Sequence, residues 1–321
     1  MLTKGDEYPI HQTPEPIAFS GTDRNFYDRY FFNGYKADGS DFFAVAFGVY
    51  PHLNVADAHF SCIRGSTQHC VHASRLLGME RMDLHVGPIT IEVIEPLKSL
   101  RVIVDNHDGI SADLTFMGRA FPLEEPRFMR RIGPRTFMDY TRLTQNGHWQ
   151  GWIEVDGVRH DVSGAVGTRD RSWGVRPVGA SDPQPTVPQV LPQFYWLWSP
   201  GNCDDGALYF HVNDDQHGRP WNTRAVWCPD GAGPNEMAES EACHMKTELK
   251  PGWRHATTAT LEAELPDGRK IEASFEPGVP FLMRGIGYGH PEWVHGGWKG
   301  ELAVEREDID LTTIEPGRAD H

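Results

Sequence analysis

The amino-acid sequence predicts an all-β protein with few helices. Glycine and proline, which both interrupt helices, account for 33 and 24 of the 321 residues. Apolar and polar residues alternate with a period of two along much of the chain, and long stretches with the 3.6-residue period of a helix are missing. Turn residues separate the alternating stretches at short intervals. This combination is typical of a β-sandwich or a β-barrel.

Four β-hairpins follow from the alternation and from Asp-Gly dipeptides, which favour tight turns. Each hairpin consists of two alternating stretches with such a dipeptide between them. The predicted hairpins span residues 26–47 around Asp38-Gly39, 100–116 around Asp108-Gly109, 152–162 around Asp156-Gly157, and 257–275 around Asp267-Gly268.

A proline-rich stretch at residues 178–192 is the best candidate for a domain boundary. Its four prolines cannot all join the hydrogen bonds of a central strand, so we expect either a linker or a lid over a pocket. An aromatic run occurs on each side of this stretch, at residues 26–32 and again at residues 194–198. We therefore predict two related β modules, residues 1–177 and 193–321.

The net charge of −15, from 45 acidic and 30 basic residues, disfavours nucleic acids and anionic membranes as partners. No stretch approaches the roughly 20 apolar residues of a membrane span, and the N-terminal residues lack the apolar run of a signal peptide. The five cysteines are an odd number without a CxxC pair, which favours free thiols in a reducing compartment. We expect a cytoplasmic protein with a hydrophobic small-molecule ligand, and a homodimer is compatible with these features.

Residues 167–176 break the rules for an ordinary strand. They place Arg169, Asp170, Arg171 and Arg176 next to Trp173, whereas a core strand avoids charges and a solvated loop has no need of tryptophan. In a strand, Arg169 and Arg171 share one face and Asp170 takes the other. Burial would raise the pKa of Asp170 and make it a candidate general acid or base. The alternative is a structural Asp–Arg pair at a bend between the modules.

Residues 285–298 form a second candidate site, in which His290 and His295 lie with tyrosine and tryptophan among five glycines. Glycine allows tight turns or a close approach of the backbone to a ligand. Histidine relays protons near neutral pH, so a pocket-lining role and a structural role are both open interpretations. The spacing of His290, Glu292 and His295 matches no known metal-ligand pattern, and Pro291 disfavours a helix there. No metal is therefore predicted.

The chain has 10 tryptophans, 9 tyrosines and 16 phenylalanines. Most of them are expected in the core, but a large apolar pocket needs a similar lining. The candidates for that lining are Tyr50, Tyr140, Trp173, Tyr195, Trp198 and Trp293. The sequence contains no Walker loop, no Rossmann GxGxxG motif after a strand, no GxSxG elbow and no HExxH motif, so we predict no cofactor.

Several of these motifs resemble those of the lipocalin-like proteins grouped with carotenoid 1,2-hydratase. That group includes AttH-type proteins and decalin-forming pericyclases, and residues 290–296 are similar to a subgroup of bacterial members. The resemblance implies two packed lipocalin-like modules with a lipophilic ligand near their junction, and it gives Asp170 the role of protonating an isolated double bond. It rests on the aromatic first strand, on Gly48-Val49-Tyr50-Pro51, on Gly87-Pro88, and on the pattern Asp-x-x-Trp-Gly formed by Asp170, Trp173 and Gly174.

The arginines beside Asp170 depart from the neutral or histidine-bearing neighbours expected in that group. Arginine lowers the pKa of an acid, and it binds carboxylate, carbonyl or phenolate oxygens well. We therefore hypothesise a cofactor-independent acid/base enzyme acting on a lipophilic, partly oxygenated molecule of terpenoid, steroid or polyketide type. It would be a hydratase or dehydratase, an isomerase or a cyclase.

In this hypothesis Asp170 transfers the proton, and His290 or His295 relays it or orients water. Arg171 or Arg176 would hold an oxygen of the substrate. One alternative is a lipocalin-like carrier, which would return its hydrophobic ligand unchanged. Another is an interaction protein, which would lack a deep cavity.

Overall fold

The computed structural model describes residues 7–10, 18, 23–39, 41–181, 194–253 and 256–314. Within these ranges the chain forms β-strands and short 3-10 helices, at Met283–Ile286 and Leu311–Thr313, and contains no α-helix. The all-β prediction is thus confirmed. No helix in the described part of the chain is long and apolar enough to cross a membrane.

The strands of the described residues are numbered β1 to β21 in chain order. Their bounds are β1 Phe26–Tyr35, β2 Phe42–Tyr50, β3 Val55–Arg64, β4 Thr67–Leu76, β5 His85–Val86, β6 Ile89–Glu95, β7 Ser99–His107, β8 Ile110–Gly118, β9 Leu123–Glu124, β10 Phe128–Ile132, β11 Arg135–Val155, β12 Val158–Asp161, β13 Val166–Val175, β14 Phe194–Asn202, β15 Gly206–Asp215, β16 Pro220–Pro229, β17 Ala238–Ser240, β18 Cys243–Leu249, β19 Ala256–Glu264, β20 Lys270–Phe275 and β21 Leu302–Asp310.

Fourteen of these strands form one large, curled antiparallel sheet. Its main path runs in the order β21-β4-β3-β2-β1-β13-β11-β8-β7-β6-β5, and β9, β10 and β12 also pair with the long strand β11. A second sheet has the order β14-β15-β16-β17, and a third has the order β18-β19-β20. Because the C-terminal strand β21 pairs with β4, the large sheet includes strands from both halves of the chain.

All four predicted hairpins are confirmed. They are β1–β2, β7–β8, β11–β12 and β19–β20, each an antiparallel pair of consecutive strands. Most of the predicted boundary at 178–192 falls in positions 182–193, which lie outside the described residues. The linker, the lid and the division into two modules stay predictions.

One face of the large sheet encloses the main hydrophobic core. Trp149 is completely buried there, and its indole packs edge-on against Phe32, Phe43 and Phe116 at centroid distances of 5.9, 5.1 and 5.2 Å. The indole nitrogen donates a hydrogen bond to the Asn33 carbonyl oxygen over 2.9 Å, so its polar atom is satisfied. Full burial of a large apolar side chain contributes about 1.5–3 kcal/mol to stability. Packing in this core stabilises the large sheet, whose opposite face carries the candidate site.

Two ion pairs are buried on the same core-facing side. Two nitrogens of Arg169 donate to the Glu7 carboxylate over 2.6 and 2.8 Å, and both side chains are fully buried. Arg171 donates to Asp28 over 2.5 Å, and its guanidinium lies 4.0 Å from the centroid of the Tyr30 ring. The two arginines that flank Asp170 in the sequence therefore have carboxylate partners of their own.

Candidate functional site

Asp170 lies on the face of the large sheet opposite to the main core. Its neighbours in register are Phe31 of β1 and Thr144 of β11. Because side chains alternate along a strand, Arg169 and Arg171 point to the core-facing side, where their ion pairs lie. The alternation predicted from the spacing is confirmed, and it separates Asp170 from both flanking arginines.

A different set of arginines surrounds Asp170. Arg29 of β1 and Arg142 of β11 both pair in register with Ser172, two positions from Asp170 on the same face. Arg176 follows the end of β13. Burial raises the pKa of Asp170 above its usual value, and the nearby guanidinium groups, that of Arg142 first, offset this rise only in part. Asp170 therefore exchanges its proton closer to neutral pH than an exposed aspartate does.

The guanidinium of Arg29 is buried without hydrogen bonds. The side chain is 2% exposed, and none of its three nitrogens has a hydrogen-bond partner among the described residues. The charged group lies over the ring of Tyr288, 4.6 Å from the centroid. Leaving a buried donor unsatisfied costs about 1–3 kcal/mol, and more when it is charged. The geometry therefore suits a ligand that brings an acceptor oxygen to Arg29.

Tyr288 lies between Arg29 and Arg176. Its ring centroid is 5.6 Å from the Arg176 guanidinium, and its ring contacts that of His295 edge-on at 4.7 Å. Burial alone would raise the pKa of the Tyr288 phenol, but the charges of Arg29 and Arg176 outweigh burial, so the pKa is lowered. Tyr288 is therefore a second group able to exchange a proton near Asp170.

Arg142 connects this face to the second sheet. It forms an ion pair with Glu125 at 3.5 Å, and its guanidinium lies 5.6 Å from the ring centroid of Trp198. The Trp198 indole nitrogen donates to Glu125 over 2.9 Å, and the indole packs edge-on against Phe31 at 6.1 Å. Trp198, a predicted pocket residue on β14, thus lies beside the strands that carry Asp170.

The predicted residues Arg176, Tyr140 and Tyr50 lie on the same side of the sheet as Asp170. Arg176 is among the charges that act on Asp170, and it lies 4.6 Å from the centroid of the Tyr27 ring. Tyr140 contacts Tyr27 edge-on at 6.3 Å. Tyr50 is completely buried on β2. The tyrosines Tyr27 and Tyr140 therefore form an aromatic border next to Arg176.

The two predicted histidines have different surroundings. Nε2 of His290 lies 3.2 Å from Glu307 Oε2, and Nδ1 of His290 accepts from the backbone N–H of Trp293 over 2.8 Å. Trp293, predicted to line a pocket, is 5% exposed and donates its indole N–H to Glu305 over 2.8 Å. His295 is 7% exposed, and neither ring nitrogen has a hydrogen-bond partner in the described part of the chain. The hydrogen bonds of His290 thus stabilise the local chain around residues 290–293. Both ring nitrogens of His295, in contrast, can still form a hydrogen bond or bind a ligand.

Two predicted substrate contacts lie on the side of the sheet opposite to Asp170, and a third is exposed. Arg171 is on the core-facing side and is paired with Asp28, so it does not reach the face that carries Asp170. Trp173 is half-buried and shares the side of Arg171 by the alternation of β13. Tyr195 is 48% exposed. Of the arginines proposed to hold an oxygen, the structure places only Arg176 near Asp170.

The sequence interpretation missed Arg29 as a site residue and mentioned Tyr288 only as part of a glycine-rich segment. A signal for Arg29 was present, because it is a charged residue inside the aromatic run 26–32. It also shares a strand face with Phe31, two positions away. The adjacent charged residues Asp28 and Arg29 within an aromatic strand conflict with burial rules in the same way as residues 169–171 do.

Gly287 leaves room for the rings of His59 and His295. Its φ of 90° favours glycine, and a Cβ there would lie 2.9 Å from His59 Nε2 and 2.7 Å from His295 Cε1. We expect Gly287→Ala to lower the free energy of unfolding by about 1–3 kcal/mol, measured by chemical denaturation. Gly289→Ala is the control, because Gly289 has a φ of 64° but nothing within 4 Å of its Cβ position. Equal losses in the two variants would show that the histidine rings do not matter.

The large curled sheet with its smaller companions is similar to several solved structures, all at low sequence identity. An AttH-type protein from Nitrosomonas europaea matches 84% of this chain and 99% of its own at 12% identity and a TM-score of 0.46. CghA, solved with Sch210972, matches 90% of this chain and 89% of its own at 12% identity and a TM-score of 0.47. Kievitone hydratase from Nectria haematococca matches 76% and 74% at 12% identity and a TM-score of 0.41.

The sequence itself matches no curated protein significantly. The resemblance inferred from Asp170, Trp173 and Gly174 named AttH-type proteins, and one such protein is among the structural matches. A family model described as a family of unknown function (DUF8625) matches residues 2–321. The chain therefore belongs to this family.

Proposed function

We propose that this member of a family of unknown function is an acid/base enzyme for a lipophilic small molecule with a carbonyl or carboxylate oxygen. The reaction is a hydration or dehydration, an isomerisation or a cyclisation of a terpenoid, steroid or polyketide-type substrate, without a cofactor. The observation that carries the proposal is the unpaired, buried guanidinium of Arg29 on the same face as Asp170.

The charges on this face suit a substrate oxygen. Arg29 has three nitrogens without partners in the described residues, whereas Arg142 is already paired with Glu125. A planar guanidinium binds a carboxylate or carbonyl oxygen through directed hydrogen bonds, which are stronger when the site is shielded from water. Arg29 is therefore the group that holds and polarises the oxygen in this proposal.

The proton is moved by Asp170. As a carboxylate, Asp170 takes a proton from the carbon next to the substrate carbonyl, and the C–H electrons form a C=C bond. The carbonyl π electrons move onto oxygen, and Arg29 stabilises the resulting enolate. In a β,γ-unsaturated ketone the enolate extends into the second double bond, so the protonated Asp170 returns the proton to the γ carbon as the C=O bond re-forms and the C=C bond moves into conjugation. In a β-hydroxy ketone the C=O bond re-forms, a C=C bond forms between the α and β carbons, and the β C–O bond breaks while its oxygen takes the proton from Asp170 and leaves as water.

The apolar part of the substrate is expected against the aromatic rings around Asp170. Phe31 and Trp198 pack against each other on one side, and Tyr27 and Tyr140 border the site near Arg176. Such rings bury large apolar surfaces and are common in pockets for hydrophobic ligands. This lining supports a lipophilic substrate.

The proposal is tested by hydrogen–deuterium exchange into carbon. The protein is incubated in D2O with a panel of hydrophobic ketones, enones and β-hydroxy ketones of terpenoid, steroid and polyketide type, and products are analysed by mass spectrometry. We expect deuterium incorporation or conversion of an excess of at least one compound. A carrier would bind a compound from the panel and return it unlabelled, and this outcome would contradict the proposal.

Arg29 offers a prediction that separates ligand binding from stability. We expect Arg29→Met to weaken binding of the anionic apolar dye 8-anilinonaphthalene-1-sulfonate by about 10–100-fold, because one charge-assisted contact is lost. The neutral dye Nile red should bind as before. The melting temperature should not fall, because the variant removes a buried charge that lacks hydrogen bonds.

Arg171→Met is the matched control for Arg29→Met. Arg171 is equally buried but paired with Asp28, so its loss leaves a buried carboxylate without that partner and should lower the melting temperature. Unchanged binding of the anionic dye to Arg29→Met would show that Arg29 does not contact ligand oxygens.

A further inference from the structure

A cluster of imidazole and carboxylate groups lies next to the candidate site, and its chemistry is not used by the proposed reaction. Asp57 and His59 belong to β3, and His295 belongs to the C-terminal segment that also carries Tyr288. One potential ligand atom from each of Asp57, His59 and His295 lies within 4.8 Å of the others, and all three residues are buried. We propose that Asp57, His59 and His295 bind one divalent transition-metal ion of the Zn²⁺ class. The ion would hold residues 285–298 against strand β3.

The hydrogen bond at Nδ1 of His59 determines the state of its other ring nitrogen, Nε2, which is left with a lone pair and no hydrogen-bond donor. Glu307 accepts a hydrogen bond from Nε2 of His72 at 3.3 Å, so Nδ1 of a neutral His72 carries a lone pair. His72 Nδ1 lies 2.9 Å from His59 Nδ1, which must therefore carry the hydrogen. The remaining nitrogen of His59, Nε2, has a lone pair and no partner among the described residues. A hydrogen-bond acceptor behind the far ring nitrogen is the usual outer support of a histidine that binds a metal; here His72 fills that place, and Glu307 orients His72 in turn.

Two more ligand atoms face this lone pair. Asp57 Oδ1 lies 4.0 Å from His59 Nε2, and Asp57 Oδ2 lies 3.9 Å from His295 Nδ1. His295 Nδ1 has no hydrogen-bond partner in the described part of the chain. Ligand atoms of a tetrahedral zinc ion lie about 3.3–3.5 Å apart, given bonds of about 2.0–2.2 Å. Small side-chain rotations are therefore enough to bring the three atoms onto one ion.

The backbone leaves the necessary space and holds the carboxylate. A Cβ on Gly287 would lie 2.9 Å from His59 Nε2 and 3.0 Å from His295 Nδ1, so glycine keeps this side open. Asp57 accepts hydrogen bonds from the Tyr50 hydroxyl over 3.1 Å and from the Gly296 backbone N–H over 2.6 Å. Two imidazole nitrogens and a carboxylate oxygen form a donor set that suits Zn²⁺, Co²⁺ and similar ions.

The proposed ligands Asp57, His59 and His295 differ from the group His290, Glu292 and His295 that the sequence suggested. The other nearby histidines are not free to join them. Both nitrogens of His72 and of His290 already have partners. Glu292 pairs with Lys299 at 3.2 Å. Because the metal joins β3 to the segment of Tyr288, its role is to position that segment, and the inference does not depend on the proposed reaction.

The test uses the full chain, stripped with EDTA and desalted, and then equilibrated with Zn²⁺ or Co²⁺ alone. We expect about one Zn²⁺ per chain by elemental mass spectrometry after desalting. The Co²⁺ form should show the visible absorption of a low-symmetry, tetrahedral-like site. A hundredfold excess of Zn²⁺ over its Kd should raise the melting temperature by about 4 °C for a chain of this size. Absence of retained Zn²⁺ and of a Co²⁺ spectrum would overturn the proposal.

Variants decide where the ion binds. His59→Gln and His295→Gln should lose the bound ion, and Gly287→Ala should lose it by filling the space between the two rings. His211→Gln is the control, because His211 is also buried but belongs to the second sheet and bonds to Asn222. Equal retention in His295→Gln and His211→Gln would place the ion elsewhere and overturn the proposal. If a ligand variant does not fold, the Co²⁺ spectrum of the unmodified chain still tests the donor set, because thiolate-to-cobalt charge-transfer absorption would place the ion at Cys70, His72 and Glu307 and overturn the proposal.

Discussion

Replacing Asp170 by asparagine is expected to lower turnover by about 10²–10⁴-fold, the usual contribution of a positioned acid or base. The melting temperature should stay within a few degrees of the original. The reason is that burial penalises the charged form of Asp170, as its raised pKa shows, and the amide of asparagine is neutral and of similar size. The variant removes the titrating group while keeping the shape of the face.

The measurement is turnover of the compound that shows the largest deuterium incorporation in the exchange panel. Asp105→Asn is the matched control, because Asp105 is an exposed aspartate on β7 of the same sheet. It should keep full activity. If Asp170→Asn also turns over at the original rate, Asp170 does not transfer the proton.

Replacing Glu7 by alanine is expected to lower the free energy of unfolding by about 3–5 kcal/mol, the usual cost of breaking a buried pair. Glu7 accepts two hydrogen bonds from Arg169 and a third from the backbone N–H of Leu97 over 2.8 Å. Both charged side chains are fully buried. Without Glu7, the Arg169 guanidinium loses its carboxylate partner inside the core and keeps its bond to Gln145 over 2.7 Å.

Equilibrium denaturation in urea measures this loss. Glu154→Ala is the control, because Glu154 pairs with Arg159 at 3.1 Å on the surface, where both side chains are partly exposed. An exposed pair contributes only about 0–1 kcal/mol. Similar losses in the two variants would mean that Glu7 is not buried against Arg169 in solution.

Local sequence patterns were sufficient to predict the strands that lie close together in the chain. All four predicted hairpins formed, because alternation and an Asp-Gly turn determine a hairpin without help from distant residues. The opposite orientation of Asp170 and its flanking arginines was also predictable, because it follows from the geometry of any strand.

Contacts between distant residues were not predictable from such patterns. Arg169 and Arg171 looked like neighbours of Asp170, but their partners Glu7 and Asp28 lie 162 and 143 positions away. Nothing in the local sequence indicates that these carboxylates are buried on the other face. The sequence left open whether the adjacent arginines would offset the rise in the pKa of Asp170 caused by burial; Arg169 and Arg171 face the other side of the sheet, and burial raises the pKa.

The candidate site depends on the same kind of distant pairing. Arg29 joins Asp170 only because β1 pairs with β13, and Tyr288 reaches Arg29 from the C-terminal segment. Likewise, His59 and His72 are opposite each other only in the register of β3 and β4. Segment 285–298 was recognised from its composition, but its partner strands were not.

A crystal structure with the most strongly exchanged compound of the panel would show directly whether Arg29 and Asp170 contact the ligand. We expect a ligand oxygen within about 2.7–3.2 Å of an Arg29 guanidinium nitrogen and a ligand carbon facing the Asp170 carboxyl group. We also expect apolar contact between the ligand and the rings of Trp198 and Phe31. A ligand bound elsewhere, for example in the apolar groove lined by Val279, Phe281 and Ile314, would show that Arg29 and Asp170 do not form the active site.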